Sequence, residues 1–166
     1  MWFNLAAADY ALKTEQDAAA VVTLSARANE ITTPVSGSAD FATIMTAVGA
    51  GYAKVYSVSQ RLADTLIVAP DRFGYLLGLT STPQPIFVTV DGQHIGPLNL
   101  LTSRGLDSGT MIVGDMEGLL CAETPGAPVE LRVVEPAIGG VEVGIIGAFE
   151  ADVVDNGSFS LITAAS

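Results

Sequence analysis

From Gly109 to Ser166 the chain is a train of short apolar runs separated by turn signals, and this stretch constrains the fold most. Thr110–Val113 is β-branched and apolar, and Gly114-Asp115 ends it. Leu119–Ala122 follows, then the turn pair Pro125-Gly126. Val129, Leu131 and Val133 alternate with Glu130, Arg132 and Val134, the period of a half-buried strand. After a turn at Pro136 to Gly140, the spacing predicts one long strand from Val141 to Val154. Val141, Val143 and Ile145 point one way in it, and Glu142 and Gly144 the other. Asn156-Gly157 carries the dipeptide of a tight φ > 0 hairpin, with Phe159, Leu161 and Thr163 on the return strand. So many strands with so few nucleophiles or ligands point to a surface built for packing.

The first half reads as helices and linkers. Between Trp2 and about Ala28, Leu5, Ala8, Leu12, Ala19, Val22 and Ala26 recur at helical spacing. The alanine content keeps this helix thin, and at roughly 1.5 Å per residue it is a strut about 40 Å long. Asn29–Ser38 reads as a polar linker and a lobe boundary. Asp40 is placed to cap a second helix with Phe41, Ile44, Met45, Val48, Tyr52 and Val55 on one face. Gly49 and Gly51 weaken its middle and admit a neighbouring backbone. Leu66–Ala69 is a short buried strand, and Pro70 starts a helix reaching Gly78. Thr80–Pro97 is the least regular part. It holds a strand expected at Ile86–Val90, the turn Asp91-Gly92, then His94 and Gly96-Pro97. Leu98–Thr102 reads as a strand and Arg104–Ser108 as a turn.

Chemistry is scarce. His94 is the one histidine and Cys121 the one cysteine. A Ser-His-Asp or Cys-His system would have to use His94, which reads better as a solvated loop residue. Cys121, in an apolar strand, reads as a small core residue. Neither spacing nor ligand number makes a metal site, and Gly139, Gly140 and Gly144 lack the strand–glycine–helix order of a phosphate cradle. Asp107, Asp115, Glu117 and Glu123 read as turn carboxylates. The chain therefore carries no expected catalytic, cofactor or metal residues. With a formal net charge of −11 and seven Lys plus Arg, it is not a specific nucleic-acid binder. Apolar residues make up 49% of its 166 residues and charged ones 15%, without an uninterrupted apolar run of membrane length. A mean hydropathy of +0.46 without a membrane segment favours burial against neighbouring subunits.

The ordered runs GTMIVGD, ETPGAPVELRVVEP and GVEVGIIGAFEADVVDNGSF resemble the end of a tailed-phage major capsid protein of the Hong Kong ninety-seven type. DTLIVAPDRFGYLLGL, residues 64–79, extends the resemblance upstream, so that it covers nearly the whole chain. The resemblance implies an α+β capsid fold: residues 1–30 a spine helix of the peripheral domain, 38–137 a central (axial) domain, and 138–166 the closing strands of the peripheral domain. The family's N-terminal arm and extended loop are absent from this sequence. It further implies a structural, non-enzymatic subunit that self-associates into capsomers of an icosahedral phage or prophage shell, in the virion after assembly in the bacterial cytoplasm. Its partners would be copies of itself, with scaffold, portal or protease during assembly. Gln84, Pro85, Asp91, Gly92, Gln93, His94, Asn156 and Gly157 are the candidate subunit-interface residues. An encapsulin-type compartment subunit is the alternative with the same fold. A small hydrolase or binding protein using the 91–97 loop is the alternative of a different class.

Overall fold

A computed structural model describes residues 2–31, 35–78, 80–81, 84–85, 94–135 and 140–164. Helix α1 runs Trp2–Arg27 and α2 runs Phe41–Ser59. Asp40 caps α2 as its position predicts: its backbone is extended and its Oδ1 accepts the Thr43 N–H at 2.9 Å. The helix ends where Gln60 turns left-handed, φ 59°, and donates its N–H to the Tyr56 carbonyl at 3.0 Å. Strand β1 is Thr65–Val68, and Pro70 opens helix α3, Pro70–Gly78, where a missing N–H costs nothing. The remaining strands are β2 (Thr80–Ser81), β3 (Gln84–Pro85), β4 (His94–Ile95), β5 (Leu98–Thr102) and β6 (Met111–Gly114). After a 3-10 turn at Met116–Gly118 come β7 (Leu119–Glu123), β8 (Val129–Glu135), β9 (Gly140–Ile146), β10 (Phe149–Val153) and β11 (Phe159–Ile162).

Five strands form the central sheet in the order β11-β6-β1-β5-β4. Only β1 and β5 run parallel; the other neighbours are antiparallel. The registers set Ile67, Ile112 and Leu161 in one row across three strands, and Val68, Met111 and Ile162 in the next. Because side chains alternate across a strand, the two rows face opposite ways. The first row packs with Ala19, Val22 and Ala26 of α1; the second packs with Ile44, Val48 and Val55 of α2 and Leu76 of α3. The sheet is thus buried on both faces, which explains why Met111–Val113 is apolar throughout rather than alternating. At Gly51 a Cβ would lie 3.1 Å from the Val113 side chain, so this glycine brings α2 close to the sheet; Gly49 faces open space.

Three expectations need correction. Residues 141–154 are two strands, because the partner changes from β8 to β7 at Gly147-Ala148. The Tyr10 ring lies over Gly147, where a Cβ would sit 2.5 Å from the Tyr10 hydroxyl. Asn156-Gly157 does not make a φ > 0 hairpin: neither residue has positive φ. Instead Asp155 accepts the Gly157 N–H on Oδ1 at 2.8 Å and the Ser158 N–H on its carbonyl at 3.0 Å. That turn carries the chain from β10, paired with β7, to β11, paired with β6, so its flanking strands lie in different sheets. Cys121 is exposed rather than a core residue, since β7 pairs with β10 outside the central sheet. The Ile86–Val90 strand and the turn at residues 136–139 lie outside the described residues.

Ile112 is fully buried in the row shared by β1, β6 and β11. Ile112→Ala is expected to lower the unfolding free energy by about 2–5 kcal/mol in a denaturant titration.

Candidate assembly surface

The described interface candidates from the sequence fall on three elements: β4, the turn before β11, and the β2–β3 hairpin. His94 is exposed at the start of β4, opposite Asn99 of β5. Asn156 and Gly157 precede β11, at the other edge of the same sheet. Four strand spacings separate those edges, about 19 Å at roughly 4.8 Å each. Gln84 and Pro85 form β3, which pairs with β2 in a two-stranded hairpin. Asp91, Gly92 and Gln93 lie outside the described residues. Asn156 is exposed, while Gly157 is buried against the end of α2: a Cβ there would be 2.9 Å from Val58 Cγ1 and from the Ser59 nitrogen.

A set of buried polar ties, not singled out by sequence reasoning, fixes these edges. Arg72 is 2% exposed, and its guanidinium donates to the carbonyls of Val35 (2.8 Å), Ser36 (2.9 Å) and Gly109 (3.1 Å). Its neighbour Asp71 accepts the Ser108 hydroxyl and the Gly109 N–H, both at 2.9 Å. The first turn of α3 therefore clamps the segment at 35–36 and the loop before β6. Burial pushes the Asp71 carboxyl up, but the hydrogen bonds from Ser108 and from the Gly109, Arg72 and Asp71 N–H groups outweigh it and hold it below its ordinary value. Buried Asn29 plays the same part at the end of α1. Its Nδ2 donates to the carbonyls of Asn156 (2.6 Å) and Phe159 (3.1 Å), and its own carbonyl accepts the Ser160 hydroxyl at 2.7 Å. Ile31 and Val35 then donate their N–H groups to the carbonyls of Leu161 and Thr163. Ile31 and Val35 thus lie beside β11 at that edge of the sheet.

Helix α1 is held further along its length. Glu15 accepts the Ser103 hydroxyl at 2.9 Å and the Arg104 N–H at 2.7 Å. Tyr10 donates to Glu123 Oε1 at 2.9 Å; loss of hydration first, then Glu123, raises the phenol above its ordinary value. Arg61 bridges buried Asp115, at 2.7 Å, and exposed Glu117.

Several large apolar side chains are exposed. Leu24 and Val154 are each more than 70% exposed, and Leu62, Leu120 and Ile146 more than half. An apolar groove of about 250 Å³ lies between α1 and the sheet, lined by Ala18, Ala19, Val22, Ile67, Leu101 and Leu119 among others. Among the described residues no cluster of His, Cys, Asp or Glu is placed to hold a metal, and no described helix is long and apolar enough to cross a membrane.

In sequence, the chain matches no family model and no curated protein. In structure, it is similar to a chain from Mycobacterium phage Che8, with a TM-score of 0.71 and 8% identity over 97% of this chain. It is also similar to a phage-related protein from Bordetella bronchiseptica RB50, with a TM-score of 0.70, 11% identity and 97% of this chain covered. A chain from the capsid of an empty GTA particle matches 99% of it, with a TM-score of 0.64 and 15% identity. The fold is therefore α+β of the phage major capsid type that the ordered strand motifs resemble. The chain spans 61%, 63% and 66% of those three chains' own lengths.

Two outcomes follow from the clamp at α3. Arg72→Ala leaves three carbonyls without their donor, and urea titration is expected to show a loss of more than about 3 kcal/mol, at about 1–3 kcal/mol per unsatisfied group. The Asp71 carboxyl is more acidic folded than unfolded, so its contribution is complete above its ordinary value of 3.8 and fades as pH falls through the folded value. The urea midpoint should drop with acidification through that range, and Asp71→Asn should flatten the drop.

Proposed function

We propose that this chain is a structural subunit of an icosahedral phage or prophage shell, which self-associates into capsomers and catalyses nothing. The observation that carries the reading is a capsid-type fold matched over nearly the entire chain, on a molecule whose exposed surface is rich in large apolar side chains. Symmetry multiplies many modest contacts, so such a subunit tolerates apolar area that a monomer would bury. A net charge of −11 suits a shell that encloses nucleic acid without gripping it. Phage and GTA particles among the structural neighbours favour the viral shell over an encapsulin-type compartment.

In this reading α1 is the spine of the peripheral domain, and residues 38–137 are the central domain. Within residues 138–166, β9 and β10 serve the peripheral domain, while β11 is shared with the central sheet. Gln84, Pro85, Asp91, Gly92, Gln93 and His94, together with Asn156 and Gly157, contact neighbouring copies in this reading. The virion is the location of the assembled product and the host cytoplasm its place of assembly, where scaffold, portal or protease would act on it.

Sedimentation velocity across a concentration series, with electron microscopy of the associated fraction, tests this. Concentration-dependent growth into particles of uniform size is expected. A chain that stays monomeric at its solubility limit would contradict it.

A further inference from the structure

The outer edge of β7 is the one place where backbone geometry specifies what a partner must supply. In the β7–β10 pair, Gly118 accepts the Val154 N–H and Thr124 donates to the Ala148 carbonyl, each at 2.9 Å. Gly118 and Thr124 lie directly opposite those residues in the register, so the even-numbered residues 118–124 turn their polar backbone groups toward β10. Leu119, Cys121 and Glu123 therefore turn theirs outward, and among the described residues β7 has no strand but β10 beside it. The Leu119 N–H is used by the Met116 carbonyl. The edge is also apolar: Leu120, Cys121 and Ala122 are all exposed, Leu120 at 59%. An exposed edge strand whose one charged residue is at its end is a template for another strand.

We infer that β7 pairs antiparallel with β7 of a second copy, about a twofold axis at Cys121. The inference rests on the shell-subunit reading, in which the neighbour is another copy of this chain. Charge limits the register. In a chain of net charge −11, copies can meet only where like charges do not oppose. Pairing about Cys121 sets Leu120 across from Ala122 and Leu119 across from Glu123, so no two carboxylates face each other. Glu117, just outside the strand, is already paired with Arg61, and Glu123 accepts from Tyr10. The cysteine is a reporter of this contact and not its cause.

Proline scanning separates the two sides of the strand. The Cys121 N–H points outward, so Cys121→Pro removes no bond within the chain but deletes two across the twofold. Ala122→Pro removes an inward bond to β10 and should lower the melting temperature. The experiment is sedimentation equilibrium of the wild type, Cys121→Pro and Cys121→Lys, with circular dichroism as the check on folding. Both variants should keep the wild-type spectrum, and Cys121→Pro should weaken dimer formation about thirtyfold. A short bis-maleimide should link wild-type copies through Cys121, whose Cα atoms would lie about 5.5 Å apart. Should the wild type associate while both folded variants do so equally and no Cys121 link forms, the β7 contact is wrong and the shell reading stands. A monomeric wild type at all concentrations overturns both. If Cys121→Pro unfolds, Cys121→Lys and the crosslink decide.

Discussion

The structure depends on where the last strand goes. β11, from the end of the chain, lies beside β6 and closes the central sheet on one side, while Ile31 and Val35 cover its outer edge. That placement joins both ends of the sequence. Asn29, at the exit of α1, is hydrogen-bonded to the turn before β11 and to β11 itself. Phe159 and Leu161 complete the core under α1, and Ile162 completes the core under α2. Without β11, α1 would lose its main footing on the sheet and β6 would become an edge.

Long-range pairing of this kind is costly in loop-closure entropy, and polar clamps offset it by fixing the connecting segments. Arg72 is the clearest case. A buried guanidinium is tolerated because three carbonyls accept from it. Those carbonyls belong to the segment before α2 and to the loop before β6, so one side chain sets the relation of α2 to the sheet. Glu15 and Tyr10 do the same for α1 against the loop after β5 and the end of β7. The clamps leave the apolar surface outside the core open for contacts with other molecules.

Much of this was legible in the sequence because it rests on local signals. Asp40 before an apolar face, Pro70 after Leu66–Ala69, and the alanine-spaced face of α1 each describe a short-range physical choice. The failures are where long-range pairing overrode a local signal. Asn156-Gly157 reads as a hairpin turn, yet Asp155 organises it and its flanking strands belong to different sheets. The apolar run after Val141 shows no break in its pattern; Tyr10, more than a hundred residues earlier, accounts for Gly147. Cys121 reads as core because apolar alternation cannot tell a central strand from a two-stranded ribbon. Arg72 was invisible as a hub, since its carbonyl partners carry no side-chain signature. Of the interface candidates, His94 and Asn156-Gly157 lie at opposite edges of the central sheet, a separation that follows from strand order and carries no local sequence signal.

The account makes the terminal strand an integral member of the central sheet rather than an appendage. Native-state hydrogen exchange tests this directly, by comparing the amides of Met111–Val113 and Phe159–Ile162 as denaturant is raised. The account predicts that both sets, with Leu66–Val68, exchange through one global opening with the same free energy and denaturant dependence. Exchange of the Phe159–Ile162 amides through a separate, lower-energy opening while Met111–Val113 stayed protected would contradict it.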